Sequence, residues 1–244
     1  MELLGKRVVV AGGSRGIGRA IAIACAAQGA QVSICARGEA ALAEAKLAGK
    51  LAHTSSCDLS KLDQIEAYIA EAASVLGGID VLVNNATGYG PTDDEASWEA
   101  NLQVDLMGLV RASRFAVPHL KVSSGAAIIN IASGSGLNPS VRSPAYGAAK
   151  AAVIHYTRTQ AAALIRSGIR VNCVAPGSIE FKDGVWDRRK RDEPDLYNAT
   201  LANCPMGRMG TPEEVAEVVV FLASPRASWV TAQVISVNGG QGLR

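Results

Sequence analysis

No run of 18 uninterrupted apolar residues occurs in the chain, so a membrane-spanning helix is not expected. The opening Met1-Glu2-Leu3-Leu4-Gly5-Lys6-Arg7 leads into a short apolar run and then glycines, which does not read as a secretory signal. Cysteine is sparse: Cys25, Cys35, Cys57, Cys173 and Cys204 are odd in number, widely spaced and without a CxxC pair. That speaks against a disulfide framework or a tetrahedral zinc site and for small buried thiols in a reducing cytoplasm. The three histidines, His53, His119 and His155, show no metal-ligand spacing. An excess of one charge is also missing. Lys+Arg 24 against Asp+Glu 22 leaves +2, which does not suit a protein that coats nucleic acid or binds membranes through a polybasic surface. The 25 glycines are scattered through apolar segments, which excludes collagen-like and linker readings. Asn85-Ala86-Thr87 and Asn198-Ala199-Thr200 match glycosylation sequons, but without a secretory signal they are read as coincidence.

What is present is ample core material: 244 residues, 48% hydrophobic and 19% charged. Short β-branched runs alternate with helical stretches. Strands are expected at 7–11, 32–35, 53–58, 81–83, 126–131, 169–174 and 233–237. Helices are expected at 16–28, 62–76, 97–120, 146–166 and 211–222, with Pro118 kinking or ending the third of these. Thr211 with Pro212 and Glu214 reads as a capping box. Strands separated by helices require parallel pairing, and strands apolar on both sides require cover on both faces. The fold class is therefore α/β: a single doubly wound Rossmann domain spanning 1–244, with a seven-stranded parallel sheet. Residues 178–210 break the rhythm and read as an inserted loop or lid.

Gly12-Gly13-Ser14-Arg15-Gly16-Ile17-Gly18 lies between the first strand and the first helix, with G-x-x-x-G-x-G spacing. Gly12 and Gly16 permit a tight turn and let the backbone approach a pyrophosphate; Gly18 lets helix and sheet pack closely. The free N–H groups and dipole of the helix start favour anionic oxygens. Sites that read NAD commonly place a carboxylate at the end of the second strand, for the ribose 2′-hydroxyl. Here that end is Ile34-Cys35-Ala36-Arg37. Arg15 and Arg37 can instead pair with a 2′-phosphate, which favours NADP(H) over NAD(H). Asp58, at the end of the third strand, stands where it could accept from the adenine amino group or cap the following turn. Leu59 beside it joins the expected cofactor contacts.

Tyr146-Gly147-Ala148-Ala149-Lys150 puts a phenol and an ammonium on one helix face. A phenol with a pKa of about 10 is a poor base at neutral pH, and a neighbouring ammonium lowers that value. Such a pair suits proton exchange at a carbonyl or carbinol oxygen. Ser133, just past the strand Ile128-Ile129-Asn130-Ile131, stands at the carboxyl edge, where a hydroxyl can hold a substrate oxygen.

Together with Asn84-Asn85-Ala86, Val171-Asn172-Cys173-Val174-Ala175-Pro176-Gly177 and Val237-Asn238-Gly239-Gly240, these motifs make the chain resemble the short-chain dehydrogenases/reductases. The resemblance runs from about residue 5 to 240, in the family's order, and within the family it is most similar to the 3-oxoacyl-(acyl carrier protein) reductase type. It implies that Tyr146 is the acid/base, that Lys150 holds the nicotinamide ribose and lowers the tyrosine pKa, and that Ser133 orients the carbonyl. It further implies that Asn85 and Ala86 line the ribose region on the adenine side, and that Pro176, Gly177 and Ile179 lie at the nicotinamide face. A homotetramer built on the helices 97–120 and 146–166 and the C-terminal segment is implied as well.

Several positions depart from that family's pattern. Thr87 stands where glycine is usual after Asn-Asn-Ala, and Ala232 replaces a glycine before the last strand. Phe181 stands near the place of a threonine that often touches the carboxamide. Asp105 occupies the place of a catalytic asparagine that would hold a water in a proton relay to the lysine. An aspartate could still accept from that water, and its charge is expected to partly cancel the field of Lys150 on Tyr146 and shift the pH profile.

Substrate identity is expected to reside in 178–210 and in the loops after Ser133 and Asn85. Phe181, Trp186, Tyr197, Met206 and Met209, with Tyr89 and Leu137, read as an apolar wall or as a lid that packs on itself. Arg188-Arg189-Lys190-Arg191 reads as a solvated helix face offset by Asp187, Asp192 and Glu193. The reading is an NADP(H)-dependent oxidoreductase of a ketone or secondary alcohol, a 3-oxoacyl thioester among the candidates. No metal, nucleic acid or membrane partner is expected. The alternatives are an NAD(H)-dependent dehydrogenase of a sugar, steroid or other secondary alcohol, and a cofactor-binding regulatory or scaffold protein without turnover.

Overall fold

The β-branched run Arg7–Ala11 forms β1, with Val8 and Val10 on one side and Val9 and Ala11 on the other. Both sets are buried, as a strand covered on both faces requires. The same holds for β4 (Val81–Asn84), β5 (Ala127–Ile131) and β6 (Arg170–Pro176), which are buried throughout. A computed structural model describes residues 1–243. Its sheet has seven parallel strands in the order β3-β2-β1-β4-β5-β6-β7, where β2 is Gln31–Ala36, β3 is His53–Ser56 and β7 is Val234–Val237. The order reverses between β1 and β4. In open sheets of this kind the ligand crevice lies outside the carboxyl ends of the strands at that reversal.

Helices α1 (Gly16–Ala27) and α2 (Glu39–Gly49) belong to one face. The other carries α3 (Leu62–Leu76), whose Ile65, Ile69 and Leu76 are buried on a single stripe. Helix α2 was not expected from the periodicity, because only Leu42 and Ala45 of it are buried. Its alanine-rich composition supplies the propensity instead.

The long helix expected over 97–120 is three pieces. Glu95–Ala100 (α4) is α-helical, Asn101–Gly108 is π-helical, and Leu109–Lys121 (α5) resumes the α form. A π turn widens the helix by one residue and is often found at functional sites. Here it accompanies Asn101 and Asp105, whose side chains reach the loop after β4. Gly108 at its end has no room for a side chain, since a Cβ there would meet the Leu59 carbonyl oxygen at 2.6 Å. Pro118 neither ends nor shortens α5. It stands in the last turn, where the helix has few bonds left to lose.

Helix α6 (Pro144–Leu164) begins with proline at its first position. The expected irregular insertion at 178–210 contains two helices, α7 (Val185–Asp192) and α8 (Pro194–Ala202). Its base is closed by an Ile179–Gly210 bridge. Helix α9 (Pro212–Ala223) starts with the expected box, in which the Glu214 carboxylate accepts from the Thr211 amide at 2.8 Å. Strand β3 stops at Ser56, so Asp58 lies two residues beyond the strand rather than within it.

Candidate active site

The glycine loop turns immediately after β1. The Gly12 and Gly13 amides donate to the Cys35 carbonyl at 3.0 and 3.1 Å, tying the loop to the end of β2. Gly12 has φ +86°, and a Cβ there would meet the Ala86 backbone at 2.7 Å. Glycine is thus required twice over at this position. Asn85 Nδ2 donates to the Gly12 carbonyl at 2.7 Å, so β1 and β4 are locked together at the sheet reversal. Arg15, the residue before α1, caps it with no side-chain hydrogen bond. The first-turn amides of α1 therefore keep no side-chain partner, which suits anionic oxygens.

A groove of about 1710 Å³ opens from this loop along the carboxyl edge of the sheet. At one end it is lined by Gly12, Ser14, Arg15, Ile17, Arg37 and Asp58, and Leu59 joins them. At the other it reaches Ser133, Tyr146, Lys150, Pro176, Gly177 and Ile179. Asn85 and Ala86 line the middle. Of the cofactor contacts expected from the sequence, Gly16 and Gly18 lie behind this lining. Gly18 packs against Gly12 and Asn85, and Gly16 packs under the Phe181 ring, 2.5 Å from where its own Cβ would be.

Arg15 and Arg37 are exposed and form no ion pair with a side chain among the described residues. Asp58 uses Oδ1 to accept from the Ser60 amide at 2.9 Å. That bond, with further help from the Ser60 hydroxyl, Arg37 and Lys61, holds its carboxyl below the usual range despite partial burial. The turn-capping reading of Asp58 is thus realised, on a residue that still faces the groove.

At the far end, Ser133 starts a short 3₁₀ turn, and its Oγ accepts from the Ser135 amide at 3.1 Å. Tyr146 and Lys150 share one face of α6, with Nζ 5.6 Å from the phenol ring centroid. Lys150 is buried; its ammonium donates to the Ile131 carbonyl at 3.0 Å and lies 2.9 Å from Asp105 Oδ1. The other carboxylate oxygen of Asp105 accepts from the Gly88 amide at 2.7 Å. Burial alone would drive Lys150 toward neutrality, but Asp105 and Tyr146 reverse this and hold it charged, above the ordinary lysine value.

Tyr146 is held in its protonated form. Burial raises its pKa; Lys150 and the Ser133 hydroxyl pull it down, while Asp105 and Tyr89 push it up. The net result is a raised phenol, where the sequence led us to expect a lowered one. The lysine acts in the expected direction, but desolvation outweighs it.

Tyr89 is more prominent than its sequence position suggested. It adopts a left-handed backbone at φ +41° and sets its ring edge-on to Tyr146, 5.6 Å between centroids at 70°. The flanking Gly88 and Gly90-Pro91 mark a turn here, but nothing in them places the Tyr89 ring against Tyr146. The rest of the expected apolar wall divides. Phe181, Trp186 and Tyr89 line the groove, whereas Tyr197, Met209 and Cys204 form a small core of the insertion, with Trp186 and Leu201 packed on it. Leu137 and Met206 are exposed. The basic run is largely paired: Arg189 lies over the Trp186 ring, Lys190 meets Glu180 and Arg191 meets Asp187. Gln241 was missed. It fixes the start of the insertion by accepting from the Ser178 amide at 2.8 Å and donating to its hydroxyl at 3.1 Å.

The residues present fit a dinucleotide. An uncapped helix start, a side-chain-free turn and two cations without a carboxylate partner stand at one end of a groove whose other end holds a phenol, a hydroxyl and an ammonium. Among the described residues no group of His, Cys, Asp or Glu could hold a metal ion. No described helix is long and apolar enough to cross a membrane.

Comparison with known proteins agrees with this architecture. Residues 11–241 match a family model described as enoyl-(acyl carrier protein) reductase. A 3-oxoacyl-[acyl-carrier-protein] reductase of Chlamydia trachomatis is 38% identical, over 98% of this chain and 98% of that one. The crystal structure of a levodione reductase superposes with a TM-score of 0.92 at 30% identity, covering 98% of each chain. An NADPH-bound short-chain oxidoreductase of Pseudomonas aeruginosa does so at 0.89 and 33% identity, covering 99% of this chain and 98% of that one. With its sheet order, its groove and these near-full-length matches, the chain belongs to the short-chain dehydrogenase/reductase family of oxidoreductases.

Proposed function

We propose that this protein is an NADP(H)-dependent oxidoreductase that interconverts a ketone and a secondary alcohol, with a 3-oxoacyl thioester among the candidate substrates. The observation that carries the reading is one continuous groove with Arg15, Arg37 and the glycine loop at one end and Ser133, Tyr146 and Lys150 at the other. Arg15 and Arg37 pair with the 2′-phosphate of the adenine-side ribose, and the α1 amides take the pyrophosphate. Leu59, Asn85 and Ala86 line the adenine side; Pro176, Gly177 and Ile179 line the nicotinamide side. When bound, the nicotinamide supplies or takes up the hydride.

The chain's own residues handle the proton. Ser133 holds the substrate oxygen, and Tyr146 gives it a proton on reduction. A raised phenol is protonated at neutral pH, the form a carbonyl acceptor needs. Lys150 keeps its charge beside the phenol, donates to the Ile131 carbonyl, pairs ionically with Asp105 and retains an N–H donor for the ribose. Residues 178–210 form the lid that selects the substrate. The five free, buried thiols suit a cytoplasmic setting.

A ketone panel assayed with each reduced nucleotide tests the reading. Tyr146→Phe should lose about 10²–10⁴-fold in turnover while nucleotide binding is retained. In a fluorescence titration NADPH should bind about tenfold or more tighter than NADH, because a charge-assisted hydrogen bond is worth about 1.5–3 kcal/mol. Undiminished reduction by Tyr146→Phe would overturn the catalytic assignment of Tyr146, and a parent protein that binds nucleotide but reduces no ketone would return the reading to the binding or scaffold alternative. Tighter NADH would return it to the NAD(H)-dependent one.

A further inference from the structure

A cation and a hydrogen-bond donor from different parts of the fold converge on Asp105, the cation forming an ion pair with an oxygen that accepts no other hydrogen bond. The Lys150 ammonium arrives from α6 at 2.9 Å on one oxygen, and the Gly88 amide arrives from the loop after β4 at 2.7 Å on the other. The carboxylate is sealed among them, at 2% exposure for Asp105 and for Lys150 alike. One turn earlier, Asn101 grips the same loop, donating to the Gly90 carbonyl at 2.9 Å and accepting from its amide at 3.3 Å. Between these two grips stands Tyr89, at φ +41°, a backbone region that non-glycine residues avoid. Its amide donates to Thr87 Oγ1, and its ring meets Tyr146 edge-on.

We propose that Asp105 is a positioning residue, a clamp with two acceptors that holds Lys150 with one oxygen and the Tyr89-bearing loop with the other. The proposal rests on the reading of Tyr146 and Lys150 as the proton machinery. Its chemical core is that neither partner can accept: one oxygen faces an ammonium and the other an amide N–H. A carboxylate offers two acceptor oxygens, whereas an asparagine offers one and turns an NH₂ toward the second donor. At this position the amide is therefore no mimic of the acid, close as it is in shape. The carboxylate also sets the charge balance around Tyr146. The groups that face the phenol or its lysine are Lys150 from α6, Asp105 from the π-helical segment, Tyr89 from the loop after β4, Ser133 from the turn after β5 and Cys173 from β6. Lys150 is the cation of this set and Asp105 its carboxylate. Removing the carboxylate leaves the lysine field on the phenol unopposed.

Asp105→Asn in the full chain tests the clamp through the phenol itself. Phenolate absorbance is titrated with pH, and Tyr146 is isolated as the difference from the matching Tyr146→Phe protein in each background. Tyr146 should ionise about one pH unit lower in Asp105→Asn than in the parent, the size expected for removing a nearby charge. The pH dependence of ketone reduction should shift in the same direction, and the KM for the ketone should rise as the Tyr89 loop loosens. Asp105→Glu, which keeps both acceptors and the charge, should restore the parental titration. If Asp105→Asn does not fold, Asp105→Ser, which leaves room for a water, carries the same expectation. An unmoved Tyr146 titration in the folded variant overturns the clamp. That readout needs no turnover, so it stays distinct from a failure of the catalytic reading, which is read from Tyr146→Phe activity alone.

Discussion

Asp80 shows how a single buried carboxylate acquires its pH dependence. It lies immediately before β4, accepts from the Arg7 amide and guanidinium at 2.8 Å each, and accepts from the Ser123 hydroxyl. Burial raises its pKa, but Arg7 and Ser123 together overcome this and bring it to about 2. The unfolded chain would titrate this group at about 3.9. A depressed carboxyl stabilises the fold at pH values above the unfolded pKa and loses that contribution as pH falls through the folded one. The window here is about pH 4 down to about 2, and the contribution is about 2.5 kcal/mol. Asp80→Asn should therefore lower the unfolding free energy by about 2 kcal/mol at pH 7 in urea melts, and the deficit should close as pH approaches 2. At this scale the sequence was informative about identity and uninformative about partners. Tyr146, Lys150 and Ser133 were legible from spacing and strand-end position. The grip of Asp105 on Gly88 was not, because the glycines and proline of that loop mark a turn without saying which side chain it meets, and the π-helical segment leaves no mark in the spacing.

Elements built on strong apolar periodicity were readable, since burial on one or both sides writes itself into the residue order. Strands β1, β4, β5 and β6 and helices α1 and α3 are of this kind. Helix α2 escaped because little of it is buried, and the π-helical segment escaped because a one-residue widening leaves the apolar spacing on either side intact. That segment matters beyond its hydrogen bonds. By widening the helix it turns Asn101 and Asp105 toward the loop at 88–90, where both make contact. Asn101→Ala removes the bonds to Gly90 and one to the Ser97 carbonyl, at a fully buried side chain, so the loop groups it held lose their partner. A loss of about 1–3 kcal/mol in unfolding free energy is expected, with a raised ketone KM and nucleotide affinity close to the parent's. Thermal melts and paired KM and Kd measurements check this.

For the whole molecule, the alternation of short strands with helices was enough to give a doubly wound sheet, and the reversal between β1 and β4 then dictates where the groove opens. What the alternation could not supply is the detailed lining, which is assembled from the loops after each of β1 to β6 and from the C-terminal turn. Assembly of copies belongs to this scale too. A homotetramer packed through α5, α6 and the C-terminal segment is our proposal, and light scattering should find four chains of 25.2 kDa. A monomer at micromolar concentration would refute it.

The insertion between β6 and α9 is closed on itself at its base by the Ile179–Gly210 bridge and encloses a nucleus around Tyr197, Cys204 and Met209, and it meets the body through Gln241 on Ser178 and Cys204, Arg208 on Glu214 and Phe181 over Gly16. A stretch with a nucleus of its own and a short set of body contacts is exchangeable as a unit when those contacts are kept. Grafting the corresponding stretch from a relative, with those contacts kept, should redirect which carbonyl compound is accepted, while the frame we propose for proton handling, Ser133, Tyr146, Lys150 and Asp105, takes none of its polar contacts from the insertion and carries over unaltered.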